Sequence, residues 1–111
     1  MKLGFIFMKK LLLPLFVLFT TLSFSQSISG IILDGESNDT PLSFAHISID
    51  GTDKQTLTDF DGSFEFNDLP EGTYTITIQF LGYEPKKIKE IEIKSKETHR
   101  VSESLYSISL N

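Results

Sequence analysis

The sequence predicts an all-β sandwich of six or seven short antiparallel strands in one domain, and three observations carry that prediction. From Gly72 to Gly82 the pattern alternates strictly, with Tyr74, Ile76, Ile78 and Phe80 on one face and Thr73, Thr75, Thr77 and Gln79 on the other. A strand with one dry and one wet face reads this way. Turn signals recur at short intervals: Asp61-Gly62 suits a tight hairpin that needs positive φ, and Pro70 presets a turn that ends at Gly72. No amphipathic helical stripe of useful length interrupts these segments.

Taken in order, Ser27 to Asp34 alternates weakly and forms the first expected strand, followed by a polar loop from Gly35 to Pro41. Phe44 to Asp50 is the second, with Ala45, Ile47 and Ile49 on one face and Phe44, His46 and Ser48 on the other. Gly51-Thr52-Asp53 turns the chain into Lys54 to Thr58, and Asp61-Gly62 turns it into Ser63 to Phe66. The long Thr73 to Phe80 strand follows. Tyr83 to Lys94 carries Ile88, Ile91 and Ile93, and the step from Ile88 to Ile91 breaks the period of two, which predicts a bulge or a short break there. Lys94-Ser95-Lys96-Glu97 is a charged turn, and Thr98 to Leu105 closes the sheet with Val101 and Leu105 inward. The expected core is Ile31, Leu33, Ala45, Ile47, Ile49, Leu57, Phe64, Phe66, Leu69, Tyr74, Ile76, Ile78, Phe80, Tyr83 and Val101. Gly82, between the long strand and Tyr83, is expected at positive φ and as the costliest glycine to replace.

Residues 1–25 read as a secretory signal peptide: Lys9-Lys10, an apolar run from Leu11 to Phe24, and small Ser23 and Ser25 before a cleavage expected ahead of Gln26. The run holds Pro14 and falls short of the roughly 20 apolar residues of a spanning helix. Residues 26–111 are then the exported domain, not membrane-spanning after cleavage, with Gln26 open to cyclisation. With no cysteine in the chain, a disulfide and a lipidated N-terminal cysteine are both excluded. Loss of Lys2, Lys9 and Lys10 leaves seven basic residues against 15 acidic ones. Nucleic acid and anionic lipid, which demand a basic face, are poor partners for such a chain.

Catalytic and metal chemistry finds little footing. Asp59, Asp61 and Asp68 invite a calcium loop, but with Gly62 at its sixth position Leu57 falls where the first oxygen ligand is required. Asp59 and Asp61 are better read as turn formers whose side chains bond nearby backbone N–H groups. His46 and His99 are the two histidines, distant in sequence and without cysteine company, which is too few ligands for zinc. No serine stands in a G-x-S-x-G elbow. No catalytic residue, metal ligand or cofactor is expected. Of the eight aromatics after Ser25, Phe44, Phe60 and Tyr106 fall outside the core pattern and are the candidate ligand contacts.

The ordered set Thr58-Asp59-Phe60-Asp61-Gly62-Ser63-Phe64, then Leu69-Pro70-Glu71-Gly72-Thr73-Tyr74, then Gly82-Tyr83 resembles the carboxypeptidase-regulatory-like family, over about Ser29 to Leu105. Pro41-Leu42 and Ala45 fit the family's P-L-x-x-A segment. The resemblance implies a transthyretin-like (prealbumin-like) β-sandwich in which Asp59, Asp61, Gly62, Pro70, Gly72, Tyr74, Gly82 and Tyr83 are structural. It further implies a non-catalytic envelope module, as in the N-terminal extension of TonB-dependent outer-membrane receptors of Bacteroidetes-type bacteria. The location implied is the periplasm, the outer-membrane surface or the medium. The partner implied is an envelope protein such as outer-membrane transport machinery; a small carbohydrate-binding module is the alternative, with a glycan as ligand. A purine-pathway hydrolase shares the transthyretin-like fold but ends Y-R-G-S, whereas this chain ends Ser107-Ile108-Ser109-Leu110-Asn111 with Arg100 as its sole arginine. Isopeptide-forming adhesin domains share the L-P-x-G-x-Y turn, yet the first strand here has no lysine to crosslink. Leu105 to Asn111 is expected to be a peripheral edge strand or a segment that docks on an envelope partner.

Overall fold

A computed structural model of the chain describes residues 25–109. The expected signal peptide, apart from Ser25, lies outside the described residues, as do Leu110 and Asn111. Eight strands follow one another: β1 (Ser27–Asp34), β2 (Thr40–Pro41), β3 (His46–Ile49), β4 (Gln55–Leu57), β5 (Ser63–Phe66), β6 (Gly72–Gln79), β7 (Lys86–Ile93) and β8 (Thr98–Leu105). They form two four-stranded sheets packed face to face. In the first, β1 is central: β5 and the short β2 lie antiparallel along one side, and β8 runs the full length of the other. The second sheet has the order β4-β3-β6-β7, all antiparallel.

The sandwich is the expected fold, with two differences. The strand count is eight because Thr40–Pro41, assigned to a loop by composition, pairs with the end of β1. And β1 and β8 are parallel, from Ser27↔Thr98 to Asp34↔Leu105. Parallel pairing requires a long crossover, and here the intervening strands supply it by building the second sheet.

The core between the sheets holds Ile28, Ile32, Ala45, Ile47, Ile49, Leu69, Ile76, Ile78, Phe64, Phe66, Val101 and Leu105, joined by Leu42, Ile91 and Ile93. Tyr74, Phe80 and Tyr83, expected in the core, are half-buried and pack against its margin, and three other expected positions are corrected. Ile31 and Leu33 are only half-buried, and Ile28 and Ile32 take their place. The register explains this: Ile28 pairs with Phe66 and Gly30 with Phe64, so Ile28, Gly30 and Ile32 share the face of the two buried rings. A shift by one residue moves every side chain to the opposite face. A Cβ at Gly30 would collide with the Phe64 ring and the Val101 carbonyl oxygen, so the glycine makes room for the aromatic. Leu57 is 53% exposed, because it pairs directly with His46 on the outer side of the second sheet. Its expected place goes to the fully buried Thr58.

The bulge lies where the broken period predicts it. Tyr74 pairs with Ile91 and Ile76 with Ile88, so a step of two on β6 meets a step of three on β7. Glu90, inside that longer step, has φ +59°.

Candidate functional site

Strand directions give the sandwich two distinct ends. The entry end carries Gln26, the β3–β4 turn, the β5–β6 loop and the β7–β8 turn. The exit end carries the β1–β2 loop, the Ser43–Phe44 turn, the β4–β5 loop, the β6–β7 turn and Tyr106–Ile108. The six large apolar side chains left exposed among the described residues, Phe44, Leu57, Phe60, Leu81, Tyr106 and Ile108, are all at the exit end. A random scatter of exposed apolar residues is ordinary; their collection in one place is the informative case.

The geometry of Phe44 begins with Thr58. Its buried hydroxyl donates to the Leu42 carbonyl at 2.6 Å and accepts from Ala45 N–H at 2.8 Å. Leu42 and Ala45 both enter the core, so Ser43 and Phe44 must reverse the chain between two pinned points. Phe44 therefore sits at φ +62°, a left-handed conformation that a bulky residue adopts only when its surroundings impose it. Its ring is 55% exposed. The other non-glycine residues at positive φ are Asn, Asp, Glu and Lys.

Phe60 is presented by a second constrained loop. Asp59 Oδ1 accepts from Asp61 N–H and Ser63 N–H, both at 2.9 Å, and Gly62 holds φ +74° with no room for a side chain beside the Ile32 carbonyl. Ser43 Oγ donates to the Phe60 carbonyl and joins the two loops. The Phe44 and Phe60 rings then meet edge to face, 5.2 Å apart at 76°.

Beyond Phe44 lies a groove of about 410 Å³ lined by His46, Phe80, Leu81, Tyr83 and Pro85. Leu81 is 96% exposed at the tip of the β6–β7 turn, which Tyr83 N–H closes onto the Phe80 carbonyl, with Gly82 at φ +85°. Tyr83 stacks edge to face on Phe80 and donates its hydroxyl to Asp34 Oδ2 at 2.9 Å. That hydrogen bond, with burial and the negative charges of Asp34 and Glu36, raises the Tyr83 phenol above its ordinary value. The segment after β8 braces this turn: Glu84 N–H donates to the Tyr106 carbonyl, Ile108 N–H to the Gly82 carbonyl, and Glu36 Oε1 accepts from Ser107.

The sequence-derived site residues separate into groups. Phe44 and Phe60 come together, while the Tyr106 ring lies against Gly35, where a Cβ would project, outside the Phe44–Phe60 contact. Asp59 organises its turn; Asp61 makes no side-chain hydrogen bond among those described. Pro70, Gly72 and Tyr74 belong to the other end, where the Tyr74 hydroxyl donates to the Pro70 carbonyl and pins the turn entering β6. Gly82 has positive φ but open space around it, whereas Gly62 is both left-handed and crowded, so replacing Gly62 is expected to cost more than replacing Gly82. His46 and His99 sit on different sheets. Sequence reasoning missed Leu81 and Thr58. The signal for Leu81 was its phase, since continuing the β6 alternation puts it in line with Thr73, Thr75, Thr77 and Gln79, the face expected to be wet, of which Thr77 is instead buried with its hydroxyl donating to Asp50 Oδ1.

A second, more polar feature is a depression of about 840 Å³ in which the register aligns Glu65, Ser29 and Arg100 in one row and Ser63, Ile31 and Ser102 in the next. Among the described residues no cluster of three or more potential metal ligands occurs, and no helix is long and apolar enough to cross a membrane.

Residues 28–111 match the family model of the CarboxypepD_reg-like domain. The chain is 33% identical over 91 residues to the TonB-dependent receptor SusC of Bacteroides thetaiotaomicron, covering 79% of this chain and 9% of the receptor. Among solved structures it is similar to a type II cohesin-X-dockerin complex of Acetivibrio cellulolyticus, with TM-score 0.63 and 25% identity over 74% of this chain and 58% of that one. It is similar in fold to a putative carbohydrate binding protein of Bacteroides uniformis, with TM-score 0.55 and 20% identity over 74% of this chain and 41% of that one. The chain belongs to the CarboxypepD_reg-like domain family.

Proposed function

We propose that this chain is a non-catalytic, exported cell-envelope module whose function is protein interaction, and that the exit end is the interacting surface. One observation carries the reading: every exposed large apolar side chain among the described residues is at that end, Leu57 at the close of β4 and the others on turns and loops, with the Phe44 turn pinned by the buried Thr58 hydroxyl. Preorganised apolar anchors are what a protein interface uses for affinity. Kinship with a TonB-dependent receptor supports an envelope setting, at the outer membrane or in the periplasm. Residues 1–25 act as the export signal in this reading. In the folded domain the Gln26 side-chain nitrogen donates to the Leu69 carbonyl and the oxygen accepts from Lys96 N–H, bonds that oppose cyclisation of a form beginning at Gln26.

The test is co-purification from detergent-solubilised envelopes of the producing bacterium. Phe60→Ser and Leu81→Ser should each lose the partner while melting like the parent, and Lys54→Ser, at the opposite end, should keep it. Retention by all three would overturn the assignment of the surface. The carbohydrate alternative draws its support from the depression with its hydroxyls, Glu65 and Arg100. The aromatic pair supports it less, since rings at 76° do not form a flat stacking platform. Calorimetry against a polysaccharide panel decides this: heat that is abolished by Arg100→Ala would establish glycan binding, and no heat would remove it.

A further inference from the structure

We infer that the exit end docks an envelope protein presenting an apolar pocket bordered by lysine and arginine side chains; this names the partner class for the surface proposed above and rests on that proposal. The argument is the division of charge between the two ends. Lys54, Lys94, Lys96 and Arg100 lie toward the entry end, and Lys87 and Lys89 lie along β7 between the ends, Lys87 paired with Asp50; eight carboxylates share these regions. The exit end has seven carboxylates and one lysine, Lys86, which pairs with Glu103 at 2.6 Å. Asp34, Glu36, Asp39, Asp59, Asp61 and Glu84 then share that end with the apolar groups, with no cation in ion-pair contact among the described residues.

Four of these carboxylates accept hydrogen bonds from neutral groups of the chain itself. Such bonds fix their positions without cancelling their charge. Asp61 and Glu84 make no described side-chain bond, and they flank Phe60 and Tyr83 directly. Screening sets in over a Debye length of about 8 Å at physiological salt, so the field of the patch acts on a partner rim in contact with it.

That field selects among occupants. An anionic lipid surface meets repulsion. A second copy docked end to end places two anionic faces together, and like charges across an interface are costly. A glycan gains nothing from the field and finds no flat platform. A protein that inserts apolar surface against Phe44, Phe60 and Leu81 while its rim supplies cations satisfies both features at once, with steering raising its association rate.

The experiment places a photoreactive benzophenone amino acid at position 60 of the full chain in the producing bacterium, and at position 54 as the control. Irradiated adducts are mapped by mass spectrometry, in the parent background and with Asp61→Asn and Glu84→Gln combined. The expected result is an adduct from position 60 and none from 54, its cross-linked partner peptide within a lysine- or arginine-rich surface, and a yield that falls roughly three- to tenfold on neutralisation. An adduct indifferent to neutralisation and to added salt overturns the charge inference and leaves the docking surface standing. A self-adduct or a lipid adduct overturns the partner class in favour of that occupant. No adduct from position 60 overturns the interaction reading itself. Because neither substituted carboxylate has a described bond, an unchanged melting curve is expected of the neutralised chain.

Discussion

At the entry end the side chain of Gln26 is buried and bonded through both its polar atoms, Ser27 Oγ meets Thr98 Oγ1 at 2.9 Å, and Thr77 with Lys87 holds the Asp50 carboxyl below its ordinary value. Polar groups there are used to close the structure. At the exit end polar groups are used to hold apolar ones open: Thr58 forces Phe44 outward, Asp59 shapes the loop that carries Phe60, and the Tyr106–Ile108 segment braces the turn that carries Leu81. The difference teaches that an exposed hydrophobe can be the product of a well-bonded scaffold. Loose packing is not the cause, since the core beneath Phe44 includes Leu42 and Ala45, both buried.

The largest effect that would break this contrast is at Gly62. A Cβ there would lie 2.5 Å from the Ile32 carbonyl oxygen at φ +74°, so Gly62→Ala should cost about 3 to 5 kcal/mol, combining left-handed strain with a backbone clash. Gly82→Ala, in open space at φ +85°, should cost about 1 to 2 kcal/mol from strain alone. Urea unfolding of both checks the order, and a reversal would mean that the exit-end scaffold is not organised through Gly62.

Next comes Thr58→Val, which keeps the shape and removes the hydroxyl. The Leu42 carbonyl and Ala45 N–H lose their partner, and about 2 to 4 kcal/mol should be lost. Hydrogen exchange should rise first at Phe44 and Ala45, and uniform exchange across the domain would contradict a local clamp. Gln26→Ala is smaller, about 1 to 3 kcal/mol for two unmet backbone partners. Its melting shift should leave the exit-end groove undisturbed, as amide chemical shifts at Leu81 and Tyr83 would report.

Much of this architecture was legible in the sequence. The bounds of β1, β5 and β8 coincide with those read from composition and alternation, and the Ile88 to Ile91 step foretold the bulge. Where both faces of a strand hold apolar residues, alternation loses its meaning: β1 has Ile28, Ile31, Ile32 and Leu33, and the face is decided by Phe64 crossing Gly30 in another strand. The parallel β1–β8 pair could not be read because no local signal distinguishes which distant edge a strand will join. For the candidate site, Phe44 and Phe60 were visible as aromatics outside the core pattern. Their union was not, since it depends on a buried threonine that bridges Leu42 and Ala45 and on a left-handed turn that the P-L-x-x-A pattern suggests only after Leu42 and Ala45 are known to be buried together.

The claim that Phe44 is held out against local backbone preference is tested most directly by the unfolding free energy of Phe44→Asn beside the parent. Asparagine tolerates the left-handed region that Phe44 occupies at φ +62°. The variant should therefore be more stable, by about 1 kcal/mol, while giving up the ring that the proposed partner contacts. A variant less stable than the parent would contradict the account, because it would show that the Phe44 ring serves the fold and is not displayed at its expense.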